Sequence, residues 1–138
     1  QTPTATQTPT NTPTPTNTPY QSNEIGCEIL MPQTVYYPGD IFYCYVYVTN
    51  TSPTPLTTPC FVLLEILDTF FYAPSFNTTF DYYSYTYYQG SQLIEVIPQI
   101  VWPNTGTSLY GINFYAALTN QEMDEIIGVW DAISFGYE

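Results

Sequence analysis

Nine threonines, Thr2, Thr4, Thr6, Thr8, Thr10, Thr12, Thr14, Thr16 and Thr18, fill every even position at the start of the chain, and the odd positions between them hold only Gln, Pro, Ala and Asn. Evenly spaced, uncharged hydroxyls have no base to activate them as nucleophiles, but they are suited to carrying O-linked sugars, as in Thr/Pro-rich stalks. Asn50-Thr51-Ser52 and Asn77-Thr78-Thr79 form N-glycosylation sequons, whereas Asn11 and Asn17 are followed by Thr-Pro and fail at the third position. Both sequons fall in expected loops, where a glycan would face solvent. Two tyrosine runs add another surface: Tyr43, Tyr45 and Tyr47, and Tyr82, Tyr83, Tyr85 and Tyr87. Their rings suit stacking on sugars or on a neighbouring subunit. Ordinary cross-strand aromatic pairing produces the same pattern.

Cys27, Cys44 and Cys60 are an odd set, and the expected strand alternation points all three inward. A hairpin centred between Val35 and Tyr36 would bring Cys27 opposite Cys44 and permit a disulfide. A pair using Cys60, or three buried thiols, are the alternatives. Carboxylates are the only remaining groups for catalysis or metal binding. Asp40, Asp68, Asp81 and Asp131 fall at expected strand ends, and Glu122, Asp124 and Glu125 cluster in one segment. Their spacing supports no acid/base pair of the glycosidase kind. Calcium is the more natural ligand for so acidic a chain, although no known calcium-loop pattern is present.

The 138 residues include 12 Asp and Glu and no Lys, Arg or His, for a formal net charge of −12. Without lysine there is no P-loop, Schiff base or Lys-Asn isopeptide crosslink; without histidine there is no Ser-His-Asp or Cys-His pair and no usual zinc site. Phosphate binding by counterion release needs Lys and Arg, which excludes nucleic acid, and attraction to anionic lipid fails for the same reason. The chain is expected to be neither an enzyme nor dependent on a cofactor. No apolar run approaches a membrane span and no basic signal-like segment is present, which predicts a mature, soluble chain.

The elements that must position these groups divide into two parts. Residues 1–22 read as an extended arm, because Pro3, Pro9, Pro13, Pro15 and Pro19 exclude helix. At about 3.1 Å per residue its first 19 residues reach about 60 Å. Such a tract has no internal reason to be ordered and would need dense glycans or a neighbour's groove to hold it.

Residues 23–138 read as one all-β domain, with 44% hydrophobic and 18% aromatic residues to fill a single core. Strands are expected over 25–31, 41–49, 60–67, 70–72, 81–88, 92–97, 108–118 and 129–137. A turn is expected at Pro38-Gly39-Asp40 and a hairpin at Gln89-Gly90-Ser91. Residues 120–127 carry an N-cap asparagine, early acids and a following Gly128, and read as one short helix. The pattern predicts an immunoglobulin-like β-sandwich of about seven strands.

Met31-Pro32, then Tyr37-Pro38-Gly39-Asp40-Ile41-Phe42, then Val46-Tyr47-Val48-Thr49-Asn50 resemble secreted bacterial immunoglobulin-like modules, in which a Pro-Gly-Asp turn precedes a strand ending in Val-x-Val-Thr-Asn. The stretches 70–76 and 114–120 look similar to the same group. The Thr-Pro arm joined to such a module also resembles heavily glycosylated extracellular filament subunits from environmental samples. The resemblance implies a secreted structural protein with covalent glycans, assembled with copies of itself into an open helical filament, and transfers no catalytic residue. The alternative is a carbohydrate-binding or adhesive module tethered by its arm.

Overall fold

The computed structural model describes residues 24–138, and the arm with its nine threonines lies outside them. The described residues form nine strands: β1 (Ile25–Leu30), β2 (Val35–Tyr36), β3 (Ile41–Asn50), β4 (Leu56–Ile66), β5 (Thr69–Tyr72), β6 (Tyr83–Tyr87), β7 (Gly90–Val101), β8 (Leu109–Thr119) and β9 (Ile126–Tyr137). They make one curled mixed sheet in the order β5-β4-β8-β9-β1-β3-β7, with β2 on β9 and β6 on β4. The curl folds β1-β3-β7 over β4-β8-β9. A single parallel bridge, Gly26 with Val129, joins the two halves.

Period-two patterning explains most of this. In β3 the side chains of Phe42, Cys44, Val46, Val48 and Asn50 are buried, while Tyr43, Tyr45 and Tyr47 face outward. Facing them across the core are Cys60 and Val62 of β4 and Ile112, Phe114, Ala116 and Leu118 of β8, all buried. At one end Tyr36, Phe42, Trp102 and Phe135 form an aromatic cluster, with Phe42 and Trp102 centroids 5.0 Å apart. The Pro38-Gly39-Asp40 turn forms as expected: the Asp40 amide donates to Tyr37 O at 3.0 Å, and its carboxylate accepts from the Tyr37 amide at 2.8 Å.

Three expectations are corrected. Residues 120–127 are not a helix, and no helix occurs among the described residues. Asn120 Oδ1 accepts from the Asp124 amide, Asn120 N donates to Glu125 O, and Met123 has φ 61°. These bonds close a tight turn that lets Ile126 and Ile127 pair with Thr119 and Leu118. Eight residues cannot match that pairing with helical bonds of their own. Residues 89–91 are not a hairpin either: β6 pairs with β4 and β7 pairs with β3, so the chain crosses from one half of the sheet to the other there. One further strand, β2, and the separate pairing of β6 with β4 rather than with β7 raise the count above seven.

Gly128 is the tightest backbone approach in the joint between the halves. Its φ is +71°, and a Cβ there would lie 2.2 Å from Ile25 O. Gly39 has a similar φ of +94° but open space around it. Gly128→Ala should therefore cost about 3 kcal/mol or more, against about 1 kcal/mol for Gly39→Ala. Urea unfolding of the two variants measures the difference; equal midpoints would show that the joint tolerates a side chain.

Candidate functional site

The sequon asparagines separate sharply. Asn77 is exposed beside the turn after β5. Asn50, expected in a solvent-facing loop, is instead the last residue of β3 and 0% exposed. Its Nδ2 donates to Thr54 O at 3.0 Å and Tyr87 O at 3.1 Å, and its Oδ1 accepts from the Ser52 amide at 3.0 Å. The side chain ties the 51–55 loop to β6, and a sugar on Nδ2 would replace one of its two hydrogens, remove one of these donations and need space that the buried site does not have.

The expected Cys27–Cys44 disulfide is absent, and all three cysteines are free and buried. The reason is register. Cys27 lies opposite Val48, four residues along β3 from Cys44, because the segment between β1 and β3 makes β2 instead of a tight hairpin. Four residues of strand are about 13 Å, well beyond disulfide reach. Cys27 Sγ donates instead to Ala116 O across the core at 3.1 Å. Burial pushes the Cys27 and Cys44 thiols up to about 12, the Asp131 charge adding to the rise at Cys27. Burial likewise raises Cys60, Tyr83 and Tyr87.

Of the tyrosines, Tyr43 and Tyr45 stack on the outer face of β3 with centroids 4.5 Å apart, and Tyr47 is exposed beside them. Tyr83 and Tyr87 are corrected from surface to core, since β6 turns them inward against β4. Tyr85 stays exposed, and Tyr82 packs on Phe61 at 5.3 Å.

The carboxylates are spoken for individually. Asp131 accepts from the Ile29 amide across the joint, Asp81 from the Ser75 and Tyr82 amides, Asp124 from Asn120 Nδ2, and Glu65 from Asn113 Nδ2 and Tyr115 Oη. The hydrogen bond with Ser75 holds Asp81 below the usual carboxylate range. No three Cys, Asp or Glu side chains converge among the described residues. The acids expected to cluster at 122–125 line a turn, in which the Asp124 carboxylate accepts from the Asn120 side chain.

A surface that the sequence did not single out lies on the outer face of β4, β8 and β9. Phe61, Tyr72, Phe80, Tyr115, Met123 and Trp130 line an apolar groove of about 360 Å³, floored by Leu63 and Ala117. Phe80 is 72% and Trp130 54% exposed. Two of its polar side chains are committed elsewhere: Tyr115 Oη donates to Glu65 at 2.7 Å and Thr119 Oγ1 to Asn120 O at 3.0 Å. A signal was present in β4, whose odd positions Phe61 and Leu63 are apolar as well as its even ones.

No family model matches the chain and no curated protein matches it. Among solved structures it is similar to Spo0M, a sporulation control protein from Bacillus subtilis, at 13% identity and a TM-score of 0.39, over 83% of this chain and 49% of that one. The chain thus spans about half the length of that protein.

Two outcomes follow from the buried groups. Asn50→Ala should destabilise by about 2 kcal/mol, leaving two carbonyls without their donor, while Asn77→Ala changes stability by less than about 0.5 kcal/mol; unfolding midpoints decide. The raised thiols set a pH response. Between about 8.5 and 12 the unfolded chain releases thiol protons that the folded chain keeps, so stability is full below that window and falls as pH rises through it. Urea midpoints that stay flat from pH 8 to pH 11 would contradict this.

Proposed function

We propose that the chain is a structural subunit of a secreted, glycosylated extracellular filament, in which residues 1–22 of one copy contact the next copy head to tail. The observation that carries this reading is the open aromatic face on β4, β8 and β9, where Phe80 and Trp130 stand exposed together; exposed apolar surface of this kind marks contact sites. A heterologous contact between an arm and such a face generates an open fibre. Covalent glycans belong on the threonines of the arm and on Asn77.

The body reads as an immunoglobulin-like sandwich at the finer level. Neighbours β1-β3-β7 correspond to the A-B-E layer of that fold and β4-β8-β9 to its C-F-G layer, with β2 as a piece of the first strand switched onto β9.

Charge limits how copies can meet. All 12 acids lie in residues 24–138 and none in the arm, so contact between two bodies sets acid against acid, while contact between an arm and a body does not. The alternative, a sugar-binding module, is less well supported, because a sugar site needs several directional hydrogen-bonding groups and the groove has few, with Tyr115 and Thr119 committed elsewhere.

Removing residues 1–19 should leave folded, dispersed monomers, and raising salt from about 10 to about 150 mM should promote fibres of the full chain by screening its acids. Electron microscopy and sedimentation read both. Fibres that persist without the arm, or that dissolve as salt is added, would overturn the reading.

A further inference from the structure

We infer that the groove lined by Phe61, Tyr72, Phe80, Tyr115, Met123 and Trp130 is the acceptor for the Thr/Pro arm of a second copy, a claim that rests on the filament reading and names its contact. Three observations carry it. The first is chemical fit. Aromatic-lined grooves take proline rings, whose extended backbone is already restricted and loses little entropy on docking. On a threefold polyproline helix Pro3, Pro9 and Pro15 fall along one edge, about 19 Å apart. A single prolyl unit enters the groove while the intervening threonines on the other edges stay in solvent, free to carry sugars.

The second is charge. None of the groove's lining residues is ionised, and the arm contributes no charge, so this pairing is the one that a chain of net charge −12 can make without opposing its acids.

The third is reach. The arm precedes Glu24 and enters the fold at β1, whose Gly26 pairs with Val129, next to Trp130 of the groove. A 19-residue extended segment spans about 60 Å, several times the distance across one sheet, so it reaches beyond its own body. A competing acceptor is the open edge of β7, which has no partner beyond β3 among the described residues. Pro98 interrupts the donors of that edge, and the arm's five prolines would supply few in return.

A cysteine trap tests the pairing in the full chain, whose native thiols are buried. One copy carries Thr6→Cys, Thr10→Cys or Thr14→Cys; the other carries Ala117→Cys in the groove floor or, as the competing acceptor, Gln99→Cys on β7. The two are mixed, oxidised and run on a non-reducing gel. Disulfide dimers are expected with Ala117→Cys and at least tenfold less with Gln99→Cys, and Phe80→Ala with Trp130→Ala in the acceptor should abolish them while its circular dichroism is unchanged. Fibres that form with no trapping at Ala117, or with trapping at Gln99 instead, would overturn the groove assignment and leave the filament reading standing. Dimers at Ala117 from a chain that never forms fibres would sink the filament reading and support the arm-groove pairing.

Discussion

A chain without a cationic side chain must satisfy every carboxylate with neutral donors, and this constraint shapes the structure at each level. Asp40, Asp81 and Asp131 take backbone amides, and Glu65 takes an amide and a phenol. Asp40 and Asp81 sit at turns where the backbone has a spare N–H, while exposed acids such as Glu28 and Glu95 stand on the solvent faces of their strands. Asp131 goes further and fastens Ile29 of β1 to β9, so a carboxylate holds together the two halves of the sheet where another protein would use an ion pair. Charge-assisted bonds of this kind are among the stronger ones available to a fold.

The interior is correspondingly neutral. Asn50 fixes a loop to β6 with an amide, Thr58 bonds Thr119 O across β4 and β8, and Cys27 reaches a carbonyl with its thiol. The aromatic residues then divide between inside and outside. Tyr36, Phe42, Phe114 and Phe135 complete the core, while Phe80 and Trp130 remain on the surface where a small domain would ordinarily place charge.

Much of the strand content was legible because period-two patterning is a local signal. The alternation of Phe42, Cys44, Val46 and Val48 with three tyrosines identified β3 and both its faces, and Pro38-Gly39-Asp40 located its entry. What was not legible depended on pairing between distant residues. Asn120 with its following acids suits a helix cap and a turn equally well, and the β8–β9 ladder decided between them. The Cys27–Cys44 error came from assuming a short connection, which β2 lengthened by claiming its own partner on β9. The groove was hidden for a related reason: Phe61, Phe80 and Trp130 come from three distant segments and become one surface only after β4 pairs with β8 and β8 with β9.

The antiparallel register of β1 and β3 has a mechanical meaning for a subunit held by its first residues. Six successive pairs, from Ile25 with Asn50 to Leu30 with Tyr45, hold β1 along β3 directly after Glu24. Tension entering at Glu24 pulls along β1 and loads those pairs together in shear, so none can be peeled away before its neighbours. Asp131 clamps the same strand from the opposite side. A stretching force that arrives through the first residues therefore meets β1 held on both sides, by β3 and by the Asp131 carboxylate of β9.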